Sequence, residues 1–133
     1  MMLPIIGGRV TAVRTPSDDL EVDIEFHPDK VKGERCEERY VLSLSTKTAV
    51  VRCERDGVER EVPTSQLAEL ERLLAQQVVN RAEATQDGSL TLEFSGGLRV
   101  SVAPAEDFEA WELTSHKGIV ALASAGGGLA TWS

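Results

Sequence analysis

Four acidic residues at alternating positions form the most prominent chemical pattern in this chain. Asp19, Glu21, Asp23 and Glu25 alternate with apolar residues. In a β-strand, alternate side chains project from the same face at intervals of roughly 6.6–6.8 Å, so the four carboxylates would form a negative ladder. Such a ladder can steer and hold a basic protein partner, because its potential attracts cationic side chains.

The same ladder also has a purely structural interpretation. Like charges in a row repel each other, and cationic side chains on neighbouring strands would offset that repulsion. Three arginines are candidates for this pairing: Arg9, Arg14 and Arg52. The sequence leaves both interpretations open.

A second candidate group lies near the end of the chain. Glu109, Trp111 and Leu113 alternate, which predicts that they share one strand face and that Glu109 points toward the apolar side. A carboxylate in such surroundings belongs to a pocket, caps a loop or pairs with a cation such as Arg99, and Glu109 is also a candidate for partner binding. Trp111 would add to partner binding if it were exposed.

The sequence predicts no metal, cofactor or nucleophile site. His27, Asp29, Cys36 and His116 are scattered without the spacing of metal ligands, and no serine lies in a nucleophile elbow. The glycines at 126–128 lack the lysine of a phosphate-binding loop and predict a turn instead. These observations favour a protein that is not an enzyme, without deciding the question.

Composition limits the classes of partner. The 133 residues predict a single domain, 1–133, and 22 acidic against 14 basic residues leave a net charge of −8. That charge argues against nucleic acid and anionic membranes as partners and permits a basic protein. Cys36 and Cys53 are too few for a disulfide framework, and no secretory leader or membrane span is evident, so the expectation is a cytoplasmic protein with reduced thiols.

Strand signals dominate the elements that must position these residues. Alternation and turn residues predict strands near residues 10–13, 20–26, 40–45, 49–54, 78–85, 90–94, 98–102, 109–114, 119–123 and 129–132. Residues 40–54 are typical of a hairpin that turns at Thr46-Lys47. Apolar residues spaced three and four apart predict one amphipathic helix over about 65–77, capped by Thr64 or Ser65.

The closing segment resembles a known family. Residues 109–113 (EAWEL) and 126–132 (GGGLATW), together with 8–10 (GRV) and 87–94 (DGSLTLEF), are similar to a bacterial domain family of unknown function, the domain-of-unknown-function 6188 type. The resemblance spans nearly the whole chain and implies a small, cytoplasmic, sheet-rich protein. It carries over no catalytic residue. Such small acidic domains resemble immunity proteins of bacterial toxin systems in general build.

Together these patterns predict an α+β domain, an antiparallel β-roll or sandwich of about nine or ten strands with one amphipathic helix. The favoured function is a non-enzymatic binding protein, of immunity type, that neutralises a basic protein partner through the four acids of the ladder. A second hypothesis is a small-molecule binder or enzyme with a pocket around Glu109, Trp111 and Tyr40. A third is a homo-oligomeric structural protein, such as a homodimer that pairs through an edge strand.

Overall fold

The structure, a computed structural model, describes residues 1–14, 21–28, 39–55, 57–62 and 67–131. Within these residues the chain forms eleven strands and one helix. In chain order the elements are β1 (Gly8–Arg14), β2 (Glu21–Pro28), β3 (Tyr40–Ser45), β4 (Ala49–Arg55), β5 (Val58–Val62), α1 (Leu67–Leu74), β6 (Val79–Ala84), β7 (Leu90–Phe94), β8 (Leu98–Val102), β9 (Trp111–Ser115), β10 (Gly118–Ala123) and β11 (Leu129–Thr131).

The strands form two antiparallel sheets. One has six strands in the order β1-β2-β3-β9-β10-β11, and the other has five in the order β5-β4-β8-β7-β6. The predicted class, antiparallel sheet with one helix, is therefore confirmed. The strand count exceeds the expected nine or ten because β5 has apolar residues only at its ends, Val58 and Val62, and three charged residues between them, so it carries no alternating signal.

Alternation in β2 and β7 explains how the two sheets share one core. Val22, Ile24 and Phe26 are buried on β2, and Leu90, Leu92 and Phe94 are buried on β7. The rings of Phe26 and Phe94 stack with their centroids 6.5 Å apart, which joins the inner faces of the two sheets. Period-two burial on both strands follows from the pleat of a half-buried sheet.

The predicted hairpin at Thr46-Lys47 is wrong. β3 pairs with β2 and β9, whereas β4 pairs with β5 and β8, so the turn at 46–48 carries the chain from one sheet to the other. Alternation identifies each strand but holds no information about its partner, because many strand orders bury the same faces.

The helix ends before the predicted residue 77. Its described part covers Leu67–Leu74, and Leu70 and Leu74 are buried as the spacing predicts, together with Leu73. Gln76 follows with φ of +63°, a left-handed conformation that ends helices. The predicted caps, Thr64 and Ser65, lie outside the described residues.

The segment before β1 completes the core. Leu3 and Ile5 are buried, the amide of Leu3 donates to the carbonyl of Ala82 at 2.9 Å, and the amide of Gly7 donates to that of Val79 at 2.8 Å. These bonds cover the β6 edge of the five-stranded sheet. β5, at the opposite edge, presents three charged residues, which oppose edge-to-edge pairing; the homo-oligomer hypothesis stays a prediction.

Candidate binding face

Three of the four acids in the predicted ladder lie on one face of the six-stranded sheet. Glu21, Asp23 and Glu25 alternate along β2 with core residues and project away from the core. Asp19 lies outside the described residues. We call this solvent-facing side of the six-stranded sheet the outer face. The prediction that these carboxylates share one face is confirmed for the three.

Glu25 is held by its own chain. Its carboxylate accepts hydrogen bonds from Thr11 Oγ1 at 3.2 Å and His27 Nε2 at 3.0 Å, and Nη1 of Arg14 and of Arg39 lie 3.6 and 3.7 Å away. The side chain is 13% exposed. Burial raises the pKa of Glu25, but these bonds and charges together lower it below its ordinary value. Glu25 therefore has a structural role as an ionised acceptor.

The three arginines expected to offset the repulsion between the acids of the ladder contact different groups. The backbone of Arg14 lies opposite that of Asp23, but the Arg14 side chain contacts Glu25. The expected role for Arg52 is wrong, because it lies on the other sheet, with its Nε 3.9 Å from Glu59. Arg9 donates to the carbonyl of Gln76 at 3.0 Å. Of these three arginines, Arg14 therefore has its described ion pair with Glu25.

The other end of the outer face is acidic. Asp23 pairs with Ser43 across β2 and β3, and Ser43 pairs with Glu112 across β3 and β9. Asp23 and Glu112 therefore lie two strands apart, roughly 10 Å. Within the described part of the chain neither carboxylate has an ion-pair partner, and Asp23 Oδ1 is buried without a hydrogen bond. Such an oxygen is costly to leave unbonded.

Glu112 is a member of this site that sequence reasoning missed. Glu112 follows the buried Trp111 in β9, so alternation predicts that its side chain points outward. Its proximity to Asp23 cannot be predicted in this way, because it depends on β3 and β9 being neighbours. We call Glu21, Asp23 and Glu112 the acidic end of the outer face. Glu21 lies two residues before Asp23 on β2, and its cross-strand partner is Ser45.

The expected position of Glu109 is wrong. Glu109 is exposed and precedes β9, which begins at Trp111. Ala110 and Trp111 are both buried, so alternation stops at the strand boundary and does not carry Glu109 to the core side. Arg99, its suggested partner, instead contacts Glu93 at 3.3 Å.

Trp111 is part of the core. It is 1% exposed, and its indole nitrogen donates to the carbonyl of Gly88 at 2.8 Å. Trp111 is expected to contribute to partner binding only if it is exposed, and it is buried. It also does not form a pocket with Tyr40: Tyr40 lies opposite Ser115 and Leu44 lies opposite Trp111, a separation of roughly 13 Å along β3. A cavity between α1 and the sheets, lined by Leu44, Leu70 and Leu74 among others, has a volume of about 10 Å³, room for a single water.

The outer face of the five-stranded sheet has a different charge pattern. Arg81 lies 2.7 Å from Glu83 and 3.7 Å from Glu93, and Arg99 contacts Glu93 from the other side. Each described cation there has a described anion beside it. The five-stranded sheet thus has arginines among its carboxylates, whereas Asp23 and Glu112 have no ion-pair partner among the described residues.

Among the residues that the structure describes, no three His, Cys, Asp or Glu side chains gather in a way that could hold a metal ion. Cys53 is buried as a free thiol, and Cys36 lies outside the described residues. The described helix, at eight residues, is too short to cross a membrane.

Comparison with known proteins places the chain in a family. No curated protein and no solved structure matches its sequence. A family model described as a family of unknown function, DUF6188, matches residues 2–133. Because that match covers almost the whole chain, the protein belongs to the DUF6188 family.

Proposed function

We propose that this protein is a non-enzymatic binding protein that docks a basic protein partner on the acidic end of its outer face. The observation that carries the proposal is the carboxylate of Asp23, which has a buried oxygen without a hydrogen bond and lies beside Glu21 and Glu112. A partner arginine or lysine that bonds the other oxygen would offset the cost of that burial.

The charge distribution supports the same partner chemistry. The nearby arginines, Arg14 and Arg39, contact Glu25, so among the described residues no cation pairs with Asp23 or Glu112. A net charge of −8 adds a long-range attraction for a basic protein, which raises association rates at low salt. Recognition through several spaced carboxylates needs no enclosed pocket.

The specific form of the proposal is a bacterial, cytoplasmic, immunity-type protein that neutralises a basic toxin by covering its cationic surface. A sandwich of the two sheets is the arrangement we infer, supported by the one core that both sheets share. A rigid sandwich would present the carboxylates at a constant spacing, as docking requires.

Binding of an oligo-arginine peptide at low ionic strength tests the charge complementarity. We expect the triple variant Glu21→Gln, Asp23→Asn, Glu112→Gln to bind about tenfold more weakly than the native chain by calorimetry, because three carboxylates near the contact are lost. Addition of salt should reduce the difference between the two proteins.

A matched variant separates the acidic end from net charge. Glu54→Gln, Glu59→Gln, Glu61→Gln also removes three carboxylates, but from the five-stranded sheet. It should bind the peptide nearly as well as the native chain. If both triple variants lose affinity equally, the peptide responds to total charge and the proposed docking surface is wrong.

A further inference from the structure

The outer face ends in a cleft that the docking proposal does not use. At the end away from Glu21, β2, β3 and the β9–β10 turn surround an open space of about 380 Å³. Its lining residues are His27, Arg39, Val41, Thr114, Ser115 and His116. Both histidines of the sequence therefore lie in one cleft, although they are far apart in the chain.

Counted over the described residues, the cleft has more cationic than anionic side chains around it, in a protein of net charge −8. Glu25 is its nearest described carboxylate, and Arg14, Arg39 and His27 all approach that single acid. The two guanidinium groups carry two positive charges, whereas Glu25 carries one negative charge. Arg39 is 54% exposed, so its remaining donors can reach a bound anion.

Glu25 also orients His27. A carboxylate with a lowered pKa is ionised and can only accept, so the bond of 3.0 Å places a proton on His27 Nε2. Nδ1 remains for a ligand, and it donates when the ring is doubly protonated. An anion in the cleft would accept that bond.

Two hydroxyl groups complete the lining. Thr114 Oγ1 lies 3.4 Å from the carbonyl oxygen of Val41, and Ser115 Oγ lies 3.5 Å from that of Gly118. Both contacts are at the long limit for a hydroxyl donor. Either hydroxyl can therefore turn toward a stronger acceptor at little cost.

We propose that this cleft binds a phosphate dianion, either free or carried by a small molecule. The arginine fork and the imidazoles match the oxygens of a phosphate through charge-assisted bonds. The volume suits a small ligand. This site is separate from the acidic end, so each proposal can fail alone.

Titration with inorganic phosphate, glycerol phosphate and dimethyl phosphate tests the inference. Because the chain has two histidines, both imidazole signals can be followed by NMR at about pH 7.5, where most inorganic phosphate and most glycerol phosphate carry two negative charges. Among the described residues, the charged groups near the rings are Arg9, Glu25 and Arg39 for His27, and Lys117 for His116. We expect saturable shifts of both signals with the two dianions, and affinity for the singly charged diester about tenfold lower.

Single variants locate the binding. Arg39→Gln and His116→Gln should each weaken phosphate binding about tenfold. His116 is exposed, so His116→Gln should leave the thermal unfolding temperature unchanged, whereas Arg39→Gln also removes a guanidinium group beside Glu25 and should lower it slightly. Arg52→Gln, which removes an exposed arginine from the other sheet, is the matched control and should bind as the native chain does. An absence of saturation by roughly 10 mM phosphate, equal affinity for the diester, or unchanged binding by both cleft variants would overturn the proposal.

Discussion

The indole nitrogen of Trp111 donates a hydrogen bond of 2.8 Å to the carbonyl oxygen of Gly88, which joins β9 of one sheet to the β6–β7 turn of the other. The amide of Gly128 donates to the carbonyl of Asp87 in the same turn at 2.8 Å. The turn of glycines near the end of the chain therefore rests on the Asp87-Gly88 turn. This contact links the two sheets through defined polar bonds as well as through the core.

Replacing Trp111 with phenylalanine should destabilise the protein by about 2–4 kcal/mol, because the smaller ring leaves a void and the buried carbonyl of Gly88 loses its donor. Urea unfolding followed by circular dichroism measures the change. The matched substitution Phe108→Leu, at a half-buried aromatic outside the core cluster, should cost about 1 kcal/mol or less. Equal effects would mean that Trp111 has no special role.

Gly88→Ala should destabilise the protein more than Gly57→Ala. Both glycines have positive φ, +96° and +77°, so both substitutions strain the backbone. A Cβ at Gly88 would also lie 2.8 Å from the carbonyl oxygen of Gly128, whereas one at Gly57 would meet nothing within 4 Å. We expect about 1 kcal/mol for Gly57→Ala and about 1–2 kcal/mol more for Gly88→Ala. Paired thermal unfolding curves show whether the close approach matters.

Glu25→Gln should lower stability at neutral pH by about 1–2 kcal/mol, because the amide cannot replace the charge that Arg14, Arg39 and His27 contact. The pKa of Glu25 is lower in the folded chain than the ordinary 4.5. Its contribution is thus fully present above pH 4.5 and is lost as the pH falls through the folded value. The difference in unfolding free energy between native and variant chains should therefore shrink with acidification, and a constant difference would contradict this assignment.

Leu3→Ala should cost about 2–4 kcal/mol, because Leu3 is fully buried and pairs with β6. Its neighbour offers an internal control: Met2 is 66% exposed, so Met2→Ala should change the unfolding free energy by about 0.5 kcal/mol or less. Comparable losses at the two positions in urea would indicate that the segment before β1 does not complete the core.

The amino-acid sequence by itself determined which side chains face the core within most elements. Strict alternation predicted the buried face of β2 and of β7, and spacing of three and four predicted the buried face of α1. These features are local, because the pleat and the helical turn set them within a few residues. The glycine turn before β11 follows from the same local chemistry, since all three glycines have positive φ.

Only the tertiary structure decided which strands are neighbours, and the candidate sites depend on that order. Pairing of β3 with β9 brings Glu112 toward Asp23 and brings the β9–β10 turn with His116 toward His27. The same global packing separates β3 from β4 and leaves Glu109 exposed before its strand. Period-two patterns are compatible with many strand orders, and burial of the whole core selects among them.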